Sequence, residues 1–312
     1  MPTPALILYE GEGTAEPAFR VLAYLPGSMN DAANSAVLLG LFNLFIERYA
    51  HVLFALALRD AGIAPVPQAV TPATLAKTRQ WLKTTSKVFG ATLRANAPPT
   101  DELNAPHIPH LRFDEANQKV LIELAIPHDA PSLLDFAHAA TEFLLRAPLI
   151  CAVMGMGFHM PSGLDSRCFI LPRMTARYRT AMEILLTNPR DGIALEGSAF
   201  RYASSSEVKP GIADIGWRTF VGAVFMERLP GLAVAPPATL QMTGGTAVLT
   251  AGDAPIWGDV QAGEDISAYQ AVARALAPIG FPREVALKGF FGGAEGNPEH
   301  VARLDAYLAR FA

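Results

Sequence analysis

The 312-residue chain has almost no cysteine, Cys151 and Cys168 being the only two. Two thiols cannot build the disulfide framework of a small secreted domain, and their separation matches no zinc-ligand spacing, so both read as buried thiols. Positive charge is scarce as well. With 25 Lys and Arg against 29 Asp and Glu, the formal net charge is -4 and the pI is near 6.0. The chain therefore lacks the basic footprint needed to track a phosphate backbone, which argues against nucleic acid as direct partner and mildly favours a cationic one. The opening MPTPALILYEGEGTAEP has no Lys or Arg ahead of its short apolar run, and acidic residues follow at once. That pattern is unlike a secretory signal and predicts a cytoplasmic protein.

What is present is apolar: 51% of residues are hydrophobic and only 17% charged, with 25 Gly and 25 Pro. Gly and Pro together stay below the ~25–30% that marks low-complexity chains, so a folded protein with many loops is expected. No linker or composition shift divides it, and we read one domain over 1–312, with lobes 1–150 and 151–312 as the natural subdivision. The fold class is α+β, with mixed or antiparallel sheets packed by several helices and room for a strand-helix duplication. One apolar run, Ser35 to Leu58, is long enough to cross a bilayer. Glu47, Arg48 and His51 interrupt its middle, so it reads as a buried helix and no membrane insertion is expected.

Local patterns fill in the order of elements. Ala5 to Tyr9 and Phe19 to Leu25 read as strands of one sheet. The long apolar helix closes at Gly62, a second helix opens at Thr71-Pro72 and runs to about Arg94, and a hairpin joins Leu111–Phe113 to Val120–Ile126. Asp129 or Ser132 caps a helix whose buried stripe is Leu133, Phe136, Ala137, Ala140 and Leu144, and LICAVMGMGF follows as a buried strand. A further helix is expected from about Met174 to Leu186. Asp214 caps another, with Trp217, Phe220, Val221 and Val224 at i, i+3, i+4 and i+7.

Signatures of catalysis are broken wherever they begin. His107 and His110 lie close together near Asp101 and Glu102, but Pro109 blocks the helical geometry of an HExxH zinc pair. A metal-assisted hydrolase using His107, His110 and Asp101 is the enzyme alternative. Gly155-Met-Gly157 follows a strand yet lacks the third glycine and the helix of a dinucleotide loop, and reads as a close-packed strand end. No serine sits in GxSxG, and no P-loop lysine exists. The chain is read as a non-enzyme without cofactor or metal; an adaptor that binds several partners is the third alternative.

The stretch from Asp214 to Ile279 stands apart. After the strand TAVLTAG comes DAPIWGDVQAGED, where Asp253, Asp259, Glu264 and Asp265 surround Trp257 and no Lys or Arg intervenes between Gly252 and Gln270. An aromatic anchor ringed by carboxylates suits a basic protein surface; the competing reading packs Trp257 in the core. Ser267 to Gln270 has capping-box spacing, and Tyr269, Val272, Ala273 and Leu276 form the buried stripe of the helix that Pro278 stops.

The succession Gly252, Pro255, Gly258, Asp259, then Tyr269, Leu276 and Pro278 resembles the bacterial type VI secretion immunity family (TsiV-like), described as immunity to VRR-Nuc toxins. Arg218-Thr219 and Gln261 depart from that pattern. The resemblance covers about 65 residues and implies a cytoplasmic protein that binds a cognate toxin, encoded by a neighbouring gene, and occludes its active site. For that family the toxin is a metal-dependent DNA nuclease. The expected contacts are Asp253, Trp257, Asp259, Glu264 and Asp265, with Glu10, Glu12 and Glu16 as a second acidic patch. A homodimer is left open.

Overall fold

The computed structural model describes residues 7–9, 12–60, 66–84, 88–94, 108–116, 118–159, 175–181, 211–212, 214–280, 283 and 298–312. The architecture is α+β. Among the described residues, eleven strands share one sheet and every strand pair in it is antiparallel. At its centre lies β2 (Glu12–Pro26), flanked by β7 (Lys119–Pro127) and β8 (Cys151–His159), with β1 (Ile7–Tyr9) paired to the start of β2. Beyond β7 come β6 (His110–Ala116), β5 (Val88–Arg94), β3 (Ala55–Asp60) and the two-residue β4 (Gln68–Ala69). Beyond β8 come β9 (Arg218–Val221), β11 (Thr246–Thr250) and β10 (Thr239–Thr243). Residues of both expected lobes thus hydrogen-bond within the same sheet.

One face of this sheet is covered by helices. α1 (Ala32–Tyr49) buries Val37, Leu38, Leu41, Phe42, Phe45 and Ile46 at spacings of one and three to four residues, the stripe of a core-facing helix. It packs against α3 (Leu133–Leu144) and α2 (Pro72–Thr84). All five stripe residues expected for α3 are buried. Thr141 of α3 donates to Met154 Sδ of β8 at 3.6 Å, so Met154 and its register partner Val21 point to the helix-covered face. Cys151 is buried, as expected, and its burial pushes the thiol up to about 12; Cys168 lies outside the described residues.

Three expected helices are altered by the sheet. The apolar run from Ser35 stops as helix at Tyr49, and Ala55–Asp60 becomes β3, because β5 offers it a full antiparallel partner. A continuous apolar run carries no period that separates helix from buried strand. The helix opened at Thr71-Pro72 ends at Thr84, and Val88–Arg94 pairs between β3 and β6; its Val, Phe and Thr suit a strand better than a helix, and its Gly disfavours the helix. Its start does match, since Thr71 and Thr74 bond each other's backbone N–H through their hydroxyls at 2.8 and 3.1 Å. The helix expected from Asp214 is instead β9, inserted between β8 and β11, followed by one short turn, α4 (Ala223–Met226). Of the helix expected from about Met174, residues 175–177 are helical, Tyr178 makes an isolated bridge with Asp259 and residues 179–180 turn; the rest of that expected helix lies outside the described residues. Among the described residues, no helix is long and apolar enough to cross a membrane.

The last helix, α6 (Pro298–Leu308), and the residues after it are tied to the segment that precedes β9. Asp214, expected as a helix cap, is buried and accepts bonds from Tyr307 Oη at 2.6 Å and from Arg310 Nη2. The guanidinium also lies 3.8 Å above the Tyr307 ring.

Candidate partner-binding loop

Residues 251–266 connect β11 to α5 (Ser267–Leu276), and the sequence puts both of its conspicuous groups here. The structure seats Trp257 in the core. It is 9% exposed and is boxed by Phe158 at 5.1 Å, His128 at 5.6 Å and Tyr178 at 5.7 Å between ring centroids. These tilted and edge-on contacts are the geometries that aromatic quadrupoles favour. Trp257 is thus no surface anchor.

Asp259 turns inward with it. The carboxylate is 3% exposed and takes a two-pronged bond from Arg177, Nε to Oδ1 at 3.1 Å and Nη2 to Oδ2 at 3.0 Å, with a third from Gln261 N at 2.9 Å. The Arg177 bonds, ahead of the others, hold the Asp259 carboxyl below its ordinary value. The Asp259 N–H donates to Glu264 Oε2 at 2.9 Å, which fixes a second member of the expected acid ring internally.

The clasp that imposes this shape is the short segment 177–180. Arg179 N bonds Gly258 O, Thr180 N bonds Trp257 O, Val260 N bonds Arg177 O, and the Thr180 hydroxyl donates to Ile256 O. Gly258 is required at the crossing: its φ is +62°, and a Cβ there would lie 2.8 Å from Thr180 Cγ2. Arg177 and Thr180 are some eighty residues from the loop in sequence, so no local pattern signals them. Their neighbour Tyr178 is pushed upward by burial against Trp257.

The outward surface of the loop is therefore smaller than the expected ring. Asp253 is exposed, and so are Val260, Gln261, Ala262 and Gly263 at the tip, with Val260 48% accessible. Asp265 is exposed but also builds the helix start: Oδ1 accepts Ser267 N at 2.8 Å and Oδ2 accepts Ser267 Oγ at 2.9 Å. These bonds lower its pKa, the backbone one first. The helix start thus rests on Asp265, where the expected capping box placed it on Ser267. The buried stripe keeps Tyr269, Val272 and Leu276, while Ala273 is half-buried.

Of the second acidic patch, only the Glu16 side chain lies within the described residues. Glu16 is half-buried and accepts Ile108 N at 3.1 Å. Glu10 and the Glu12 side chain lie outside the described residues.

A polar cluster that sequence reading missed occupies the sheet face opposite Met154. Arg20, fully buried, donates to Glu123 Oε1 at 2.7 Å and to Phe158 O at 3.0 Å. His159 Nδ1 lies 3.8 Å from the same Glu123 oxygen, and His110 stacks on His159 at 4.4 Å. Arg20 stands opposite Gly155 in the β2–β8 register and Ala18 opposite Gly157, so the two glycines leave side-chain space beside the guanidinium. That is what the Gly155-Met-Gly157 pattern does here. His110 belongs to this buried cluster; Asp101 and His107 lie outside the described residues. Among the described residues, no three His, Cys, Asp or Glu side chains gather to hold a metal ion.

These elements define a class: a single antiparallel sheet, helix-covered on one face, with an aromatic-seated loop between its last hairpin and a helix. No family model matches the chain, and no curated protein does. Among solved structures, the chain is similar in fold to Pseudomonas aeruginosa T6SS protein PA0821, with a TM-score of 0.66 at 15% sequence identity. That likeness covers 98% of this chain and 89% of the other.

Proposed function

We propose that the protein is an immunity-type inhibitor associated with type VI secretion, which binds a cognate toxin in a stoichiometric complex and involves no catalysis by its own residues. The observation that carries this reading is the fold likeness along nearly the whole chain to a protein named for that secretion system. The residue pattern from Gly252 to Pro278 supports it, since it resembles the immunity family independently of the fold.

The loop supplies a physical route to binding. Its interior half, Trp257 and Asp259, sets a rigid shape; its exterior half presents Asp253 and Asp265 around an apolar tip at Val260. A pre-shaped apolar tip flanked by carboxylates suits a basic cleft, where rigidity lowers the ordering cost of association and the charges set encounter rate. A nuclease active site, built to take a phosphate backbone, is such a cleft. Inhibition of a toxin lethal at few copies calls for nanomolar or tighter affinity, about 12 kcal/mol.

The test is co-expression with the toxin encoded beside it. We expect growth to be rescued and the two proteins to co-elute as one species after purification. Absence of both rescue and complex with the neighbouring toxin would remove the proposal.

A further inference from the structure

The two edges of the sheet are built differently. β4, at one end, is only two residues long, which is one of the ways proteins deny an edge to other chains. β10, at the other end, runs Thr239 to Thr243 in uninterrupted register with β11; Thr239, Gln241 and Met242 are exposed and Leu240 and Thr243 half-buried. Among the described residues, no strand lies beyond it. Among the described residues the edge carries no such protection: the stretch between Arg228 and Asp253 holds no charged residue, β10 has no bulge or proline, and Met242 is 53% exposed.

The β10 sequence also reads nearly the same in both directions. Thr-Leu-Gln-Met-Thr has threonine at both ends, similar unbranched-to-branched apolar side chains at its second and fourth positions, and Gln241 at its centre. The hairpin fixes which backbone groups face outward. Gly244 and Gly245, with φ of +56° and +86°, form the two-residue turn whose positive φ values mark type I′. Such a turn closes on a hydrogen-bonded Thr243–Thr246 pair, so the two-residue period makes Gln241–Val248 and Thr239–Thr250 bonded pairs as well. The N–H and C=O groups of Leu240 and Met242 are then the ones that point away from β11.

We propose that β10 is a self-recognition edge, pairing antiparallel with β10 of a second copy about a two-fold axis at Gln241. An isologous contact must match its own surface, and this register does so at every position. Leu240 of each copy exchanges both backbone bonds with Met242 of the other, each Thr239 faces a Thr243, and the two Gln241 side chains meet at the axis. The apolar pair on one face and the threonine pairs on the other are the cross-strand partners that stabilise sheets. The inference does not rest on toxin binding.

A five-residue strand pair is small beside the ~1,600 Å² of a standard interface, so the dimer is of micromolar strength. Sedimentation velocity of the full chain from about 1 to about 300 μM spans that range. We expect a reversible monomer–dimer equilibrium that Gln241→Lys weakens at least about fivefold, because it sets like charges directly opposite. An equimolar mixture of Gln241→Lys and Gln241→Glu chains restores the dimer. A wild-type monomer throughout the range, a dimer unaffected by Gln241→Lys, or a mixture that stays monomeric would each overturn the proposal. Hydrogen exchange on the wild-type chain gives a readout that needs no variant: the Leu240 and Met242 amides become slower to exchange as concentration rises, and concentration-independent exchange at both would count equally against it.

Discussion

Trp257 shows how one residue can be conspicuous in sequence for a reason the sequence does not give. It lies in a loop between acidic residues, yet its ring contacts Phe158, Tyr178 and His128, which come from three separate stretches of chain. Trp257→Ala is expected to cost about 3–5 kcal/mol of unfolding free energy, the usual range for emptying a buried aromatic site, measured by urea denaturation. A loss below about 1 kcal/mol would show that the ring is not part of the core. Asp259 adds a pH signature. Its folded pKa lies below the ordinary 3.8, so the stability it supplies is fully present above the unfolded value and is lost as pH falls through the folded one. Trp257 emission should therefore hold steady from pH 7 down to about 4 and shift to the red at lower pH. Arg177→Met should move the onset of that shift upward, towards the ordinary carboxylate value.

Elements were legible where their pattern belonged to one partner surface. The stripe of α3, the hairpin of β6 and β7 and the buried run of β8 all appear as read, because amphipathic spacing or a turn signal specified each locally. β3, β5 and β9 were not, since their apolar residues also fit a helical period and only pairing within a large sheet decides between the two. The polar cluster on β2, β7 and β8 was hidden for the same reason: Arg20 and Glu123 are 103 residues apart and meet through strand register. Buried pairs of this kind are costly to break from one side and cheap to replace from both. Glu123→Ala should destabilise the protein by about 3–5 kcal/mol, whereas Arg20→Met with Glu123→Leu should come within about 1 kcal/mol of wild type or exceed it. Equal losses in the single and double variants, by thermal and urea unfolding, would contradict a purely structural pair.

At the scale of the molecule, the negative charge, the broken enzyme motifs and the α+β class were all open to reading from sequence, and the antiparallel sheet realises that class. The segment 251–266 was legible as a loop, but which of its side chains face solvent was not. The sequence points to 253–265, and the structure divides that segment into a buried half that shapes the loop and an exposed half, Asp253, Val260 and Asp265, that faces solvent. The division could not be read beforehand because it is imposed by residues 177–180. It also changes which substitutions are informative: Trp257 and Asp259 report on folding, while Asp253 and Val260 test the proposed binding.

The measurement that bears most directly on this account is the calorimetric affinity of the wild-type protein and of Asp253→Lys with Val260→Ser for the proposed cognate toxin, sought in the neighbouring gene. Both side chains are exposed, so thermal unfolding should be unchanged and any effect belongs to the interface. The account predicts a one-to-one complex of nanomolar or tighter Kd that weakens as salt rises and loses at least about 2 kcal/mol in the double variant. A complex of unchanged affinity in that variant would contradict the loop as the binding surface, and the absence of any complex would contradict the proposed function itself.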